Sequence, residues 1–267
     1  MKGLVIIPTY NERENIEKLL KILIDIDKNI PDTKIDILVV DDNSPDRTWE
    51  VVEEFSRRTE KVKLIKRPSK LGLGTAYKVG FKYAIENNYD FVVQMDADFS
   101  HNPFDIPKMV SLLQKSDFVV GSRYLNGVSV INWPIRRLIL SYLANLYARK
   151  LTGVPVKDLT SGFTCIKTKV LKKMDIEKLK SDGYGFQIEL KTYANYCDNS
   201  RFVLTEMPII FEERRGGKSK MSKRIIVEAF FLVIKLFFKR FFKHECLENF
   251  GTSKKFFSES AKLFCFL

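Results

Sequence analysis

The sequence predicts an α/β fold: a mostly parallel central sheet flanked by helices, followed by a C-terminal amphipathic helix. Three observations carry that prediction. Short apolar runs alternate with amphipathic segments through the first half of the chain, the spacing of a parallel sheet covered by helices. Polar clusters follow three of those runs directly, at Pro8–Glu12, Asp41–Asp46 and Asp96–Asp98. Towards the C-terminus, charges recur at helical spacing among phenylalanines, of which the chain has 21.

Leu4 to Ile7 reads as a strand buried on both faces. Asn11 is expected to cap the next helix, with Glu14 at the capping-box offset, and Ile16, Leu19, Leu20 and Leu23 share one face of it. Ile35 to Val40 is the second strand, and Asp41–Asp46 is a polar turn that cannot continue it. A helix over Arg47 to Arg58, a strand at Val62 to Ile65 and a helix from Thr75 to Glu86 follow. Phe91 to Met95 is the fourth strand and runs into Asp96-Ala97-Asp98. Asn102 caps a further helix with Pro103 at its first position, and Phe118 to Val120 is a fifth strand.

The second half is less regular. Ile135 to Leu151 and Gly185 to Tyr196 read as helices, and Leu159 to Ile166 as strand around a tight Ser161-Gly162 turn. Arg201 to Ile210 is strand-like and precedes a charged loop from Glu212 to Lys223. With no separating linker, residues 1–222 read as one catalytic domain, 223–246 as an amphipathic interfacial helix and 247–267 as a tail.

Composition narrows the function. The chain has 267 residues, 45% of them hydrophobic, enough for a full core. A formal charge of +12 favours anionic partners. Nucleic acid is set aside, because no zinc-finger spacing or nucleic-acid module is present. The four cysteines form no metal-binding pair and read as reduced thiols of a cytosolic compartment. Leu4 to Ile7 is too short for a signal peptide, and no segment offers 18 uninterrupted apolar residues for a membrane span. Pro8-Thr9-Tyr10-Asn11-Glu12 stands where a dinucleotide fold needs glycines, and the Gly72/Gly74 segment is no P-loop.

Ligands of a parallel sheet gather beyond the carboxyl ends of its strands, where all three polar clusters fall. Asp96 and Asp98 are one residue apart, so in extended chain both project to one face and can converge on one cation. Oxygen ligands of this kind suit Mg2+ or Mn2+, with water and phosphate completing the shell. The competing interpretation is a pair of ordinary loop aspartates. Ser100 and His101 stand close enough in sequence to contribute, although a lone histidine more often bonds locally.

Together, Pro8-Thr9-Tyr10-Asn11-Glu12, Asp41-Asp42-Asn43-Ser44-Pro45-Asp46 and Asp96-Ala97-Asp98 resemble the family 2 glycosyltransferases of the GT-A fold. The resemblance is closer to polyprenol (dolichol) monophosphate mannose synthases. Leu71–Ala76, Gly121–Tyr124, Asn132–Pro134, Thr160–Phe163, Tyr184–Glu189 and Gly217–Ser222 belong to that pattern, which spans roughly residues 2–240. It implies GDP-mannose as donor and a polyprenyl phosphate as acceptor. A related transferase moving glucose from UDP-glucose to a polyprenyl phosphate is the alternative.

By the same resemblance, Pro8, Tyr10, Glu12 and Asp42 line the nucleotide pocket, with Asp41 as the other acid able to take part of that role. Asp96 and Asp98 form the metal and diphosphate site, Asp98 being catalytic. Arg123 and Arg214 serve the donor phosphates and reacting centre, and Arg137 and Ser141 the acceptor phosphate. Arg136, Arg215, Lys218 and Lys220 complete a basic rim, since two anionic substrates must be held together. Lys220 is assigned to the donor and Arg136 to the acceptor. Asp158 and Glu189 are expected as buried anchors.

From Lys223 to Lys243, Arg224, Glu228, Lys235, Lys239 and Lys243 form a polar stripe and phenylalanines fill much of the rest. That pattern predicts a helix lying in a membrane interface rather than crossing it, with packing against its own domain or a partner subunit as the alternative. Trp133, Tyr142 and Tyr147 offer a second interfacial surface. The expected location is the cytoplasmic face of a membrane, peripherally attached.

Overall fold

The computed structural model describes residues 1–197, 202–212 and 229–238. Nine strands and seven α-helices are bounded among them: β1 (Lys2–Thr9), α1 (Arg13–Leu23), β2 (Lys34–Asp41), α2 (Thr48–Arg58), β3 (Val62–Lys66), α3 (Leu73–Glu86), β4 (Phe91–Gln94), α4 (Ile106–Leu112), β5 (Phe118–Ser122), β6 (Val130–Ile131), α5 (Ile135–Thr152), β7 (Thr164–Lys167), α6 (Thr168–Lys173), α7 (Gly183–Tyr196), β8 (Leu204–Pro208) and β9 (Phe211–Glu212). Residues 229–238 are helical as well.

Seven strands form one sheet in the order β3-β2-β1-β4-β7-β5-β8, and β6 pairs with β9 in a small second sheet. Every pairing in the large sheet is parallel except those of β7, which runs antiparallel to both β4 and β5. Strands buried on both faces explain the near-continuous apolar runs. Alternate residues of β1 supply opposite cores. Leu4 and Ile6 join Tyr77 and Phe81 of α3 and Phe186 and Leu190 of α7. Val5 and Ile7 join Leu19 and Leu20 of α1, Val52 of α2 and Val110 of α4. Each such side chain contributes about 1.5–3 kcal/mol on full burial.

Several expectations need correction. Asn11 does not cap α1: it adopts a left-handed backbone (φ 61°), and its amide donates to Ser44 Oγ at 3.1 Å. Glu12 occupies the cap position, without a side-chain cap bond. Asn102 does cap, accepting from the Phe104 amide at 3.1 Å, but the turn it opens is 3-10 and α4 begins at Ile106. The strand expected from Leu159 starts only at Thr164. The side chains of Asp158, Thr160 and Ser161 bond to Arg123, Asn145 and the Gly121 carbonyl, so that segment leaves the ladder.

The antiparallel course of β7 determines what meets at the rim. Gln94 of β4 and Val120 of β5 both pair with Thr164. The carboxyl ends of β4 and β5 therefore flank the start of β7, and the 158–163 segment sits between the acidic turn and Arg123.

Candidate active site

The turn after β4 carries Asp96 and Asp98. Asp98 Oδ1 accepts from the Ser100 amide (3.1 Å) and hydroxyl (2.6 Å), which bends the chain through Phe99 at φ 60°. Tyr77 of α3 donates its hydroxyl to Asp96 Oδ1 at 3.5 Å. Burial, then the charges of Asp96 and Asp98, push the Tyr77 phenol well above its usual range. His101 is buried, stacks on Phe163 at 4.9 Å, and accepts the Asp96 amide proton at Nδ1 (3.1 Å). Burial lowers its pKa, with Asp96 and Asp98 opposing and Arg123 reinforcing. Through Nδ1, which accepts the Asp96 amide proton, His101 orients the acidic turn.

On the far side of His101 stands Arg123, just past β5 and 4% exposed. Its Nε and Nη2 donate to the two carboxylate oxygens of Asp158, both at 2.7 Å, and Nη2 also reaches Thr160 Oγ1 at 2.7 Å. Burial works against both charges. The mutual attraction nevertheless raises the Arg123 pKa and lowers that of Asp158. None of these bonds uses Nη1. The rings of Trp133, Tyr124 and Phe211 lie 5.4–5.5 Å from the guanidinium carbon. Trp133 also has Arg137 over its face at 4.2 Å, so one indole gathers two arginines. Ser141, one turn along α5 from Arg137, accepts the Tyr124 hydroxyl proton at 2.8 Å. Arg136 is exposed on the first turn of the same helix. Thus Arg123, Arg137 and Ser141 come together.

The ends of β1 and β2 form the other half of the rim. Pro8 and Tyr10 are half-buried, and Lys70 stands over the Tyr10 ring at 3.9 Å. Glu12 is buried and its amide donates to Thr48 Oγ1 at 3.0 Å. Asp41 and Asp42 differ sharply. Asp41 is fully buried and accepts from Thr9 Oγ1 (2.7 Å), Ser44 Oγ (2.6 Å) and the Ser44 amide (2.9 Å), so it shapes the turn and presents no face to a ligand. Asp42 pairs with Arg67 and accepts the Leu71 amide at 3.1 Å, tying the glycine loop to the pocket. Arg214 and Lys220, with Arg215 and Lys218, lie outside the described residues.

Sequence reasoning missed Arg67, Lys70, Gln187, Lys191 and Asp182. Asp182 accepts the Gly74 amide at 2.6 Å and so caps α3 from 108 positions away. Neither amide atom of Gln187 has a partner among the described residues. Its nitrogen is 3.7 Å from the point a Cβ on Gly162 would occupy, and Asp96 Oδ2 is 4.0 Å from the same point.

No group of three or more metal-ligating side chains exists among the described residues. Mg2+ is commonly held by only one or two carboxylates, with phosphate and water completing its shell. Asp96 and Asp98, both felt by Tyr77 and His101, supply oxygen donors of that kind.

Residues 4–175 match the family model "Glycosyl transferase family 2". The chain is 43% identical to a polyprenol monophosphomannose synthase of Mycolicibacterium smegmatis, covering 87% of this chain and 85% of that protein. It is 39% identical to an undecaprenyl-phosphate mannosyltransferase of Micrococcus luteus, covering 86% and 91%. A dolichol-phosphate mannosyltransferase of Pyrococcus furiosus is 37% identical, and the match spans 61% of that longer protein. Among solved structures, glucosyl-3-phosphoglycerate synthase of Mycobacterium tuberculosis in complex with Mn2+, UDP and phosphoglyceric acid superposes with a TM-score of 0.63. It is 17% identical and covers 88% of this chain and 78% of that one, a likeness of fold.

Proposed function

The chain belongs to glycosyl transferase family 2, and from that premise we propose that it transfers mannose from GDP-mannose to a polyprenyl phosphate with inversion, on a GT-A fold. One observation carries the reading. His101 accepts the Asp96 amide proton at Nδ1 and lies edge-on to the Phe211 ring at 5.7 Å, a ring that is itself 5.5 Å from the Arg123 guanidinium carbon. An acidic site for a cation–diphosphate and a guanidinium for phosphate therefore share one rim.

The acceptor phosphate is ionised near neutral pH and attacks the anomeric carbon as the bond to the diphosphate breaks. The electron pair leaves with the nucleoside diphosphate. The work left to the protein is to hold two anions together and stabilise charge as it moves. Mg2+ or Mn2+ held by Asp96 and Asp98 would neutralise charge on the departing diphosphate. Arg137 suits the incoming phosphate, with Tyr124 and Ser141 lining its approach, and Arg123, gathered with Arg137 at Trp133, is assigned to the donor phosphates and reacting centre. Pro8, Tyr10, Glu12 and Asp42 face the nucleotide, with Arg214 and Lys220 assigned to the donor phosphates. Mannose is favoured over glucose because relatives 37–43% identical over most of the chain are named as transferring it.

No helix among the described residues is long and apolar enough to cross a membrane. We assign the acceptor's approach to a membrane surface. Ile135, Ile139, Tyr142 and Leu143 of α5 are exposed, and Tyr147 stacks at 5.1 Å on Phe230, which places residues 229–238 beside that helix. Val233 and Leu236 of that stretch are buried in the core, whereas Phe230 and Phe231 remain exposed.

A donor screen with short-chain polyprenyl phosphate and Mg2+ or Mn2+ tests the proposal. Turnover is expected with GDP-mannose and not with UDP-glucose. Asp98→Ala is expected to lower it by about two orders of magnitude or more without unfolding the protein. Turnover with UDP-glucose alone would replace the donor assignment, and near-normal catalysis by Asp98→Ala would remove its metal role.

A further inference from the structure

Lys191 is fully buried on α7, and its ammonium donates to three backbone carbonyls: Ser161 at 2.7 Å, Leu159 at 3.0 Å and Gln187 at 3.4 Å. Two of the three belong to the segment that holds Arg123. Along that segment the roles alternate. The side chains of Asp158 and Thr160 accept from Arg123, and the carbonyls of Leu159 and Ser161 accept from Lys191. The segment is thus clamped between two cations, one gripping its side chains and one its backbone.

We propose that Lys191 is a positioning residue for the transfer reaction: by holding the 158–161 segment against α7 it sets the direction in which Arg123 meets the substrate phosphates. The inference rests on the function proposed above. An ammonium has three N–H donors for three carbonyls, whereas a neutral amine has two and turns a lone pair towards the third. The clamp is complete only in the charged form.

The surroundings bring that choice near neutrality. Burial lowers the Lys191 pKa to about 7, with Asp158 opposing, Arg123 reinforcing and Glu206 of β8 opposing. Activity and stability then part company. The folded-state pKa lies below the ordinary 10.5, so between about 7 and 10.5 the unfolded chain binds more protons. Through that window this group makes the fold more stable as pH rises. Positioning of Arg123 weakens earlier, as the folded group gives up its proton around pH 7. The acceptor phosphate, whose second ionisation lies at about 6, accounts for a separate acid limb.

The test measures kcat and KM for GDP-mannose with short-chain polyprenyl phosphate and Mg2+ across pH, for the wild type, Lys191→Arg and Lys191→Met. Amide hydrogen exchange over residues 158–163 is followed alongside. In the wild type, kcat is expected to fall as pH rises through about 7 while the melting temperature does not. Lys191→Met should lose about tenfold to a hundredfold in kcat, the scale of a slight misplacement of a charged group. Its donor KM should change little, its alkaline limb should vanish, and 158–163 should exchange faster. Lys191→Arg keeps the charge and should recover kcat at high pH. Wild-type kcat and pH dependence in Lys191→Met would overturn the proposal. Should that variant not fold, a wild-type kcat that stays level above pH 7, or a Lys191→Arg profile identical to it, overturns the proposal equally. If the wild type turns over neither GDP-mannose nor UDP-glucose, the functional reading fails. Unchanged protection of 158–163 in the variants then decides against Lys191 separately.

Discussion

Removing the Asp158 carboxylate would leave the Arg123 guanidinium enclosed, with Thr160 and aromatic rings for company. Breaking one side of a buried pair costs about 3–5 kcal/mol, because the remaining charge is stranded. Asp158→Ala is therefore expected to lower unfolding free energy by that order in urea titrations, and a loss below 1 kcal/mol would contradict the pairing. The pH dependence follows from the lowered pKa of Asp158, burial raising it and Arg123 more than compensating. Its contribution is fully present above the ordinary value of 3.8 and disappears as pH falls through the lower folded value. At this scale the acids of the polar turns were legible in the sequence, because each directly follows an apolar strand. How differently Asp41 and Asp42 are bound was not. That depends on Thr9 and Ser44 enclosing one, and on Arg67 and the Leu71 amide receiving the other.

Helix α3 shows how an element can depend on a distant residue. Its cap residue, Gly72, has φ 98° and ψ 157°, a region essentially reserved for glycine. The Asp182 carboxylate fills the space where a side chain would stand. Gly72→Ala should cost about 1–3 kcal/mol from backbone strain. It should also displace the Asp182–Gly74 bond and weaken nucleotide binding through the Asp42 contact. Calorimetry with GDP, set beside thermal unfolding, checks both effects, and an unaltered GDP affinity would detach this loop from the nucleotide. The sequence marked these glycines as turn residues with backbone donors. Nothing local pointed to their partner 108 positions later.

Across the whole molecule, a net charge of +12 accompanies an exposed apolar surface on α5 and residues 229–238. Leu143 and Phe231 are exposed there at 53% and 63%. Leu143→Ser combined with Phe231→Ser is expected to lower affinity for anionic vesicles by about a hundredfold or more in sedimentation titrations, given 1.5–3 kcal/mol for each large apolar side chain fully buried. Soluble-substrate turnover should stay intact, and equal vesicle binding would exclude this surface as the contact.

The sequence by itself determined the strands and helices of the first half and the acidic turns at their ends. These are written in local periodicities of two and 3.6 residues, which are legible without knowledge of neighbours. Only the tertiary structure decided that β7 runs antiparallel between β4 and β5, that Asp158 faces Arg123, and that Lys191 is buried against the Leu159 and Ser161 carbonyls. Those contacts join residues 30 or more positions apart, and their strength comes from shared burial, which no local pattern encodes.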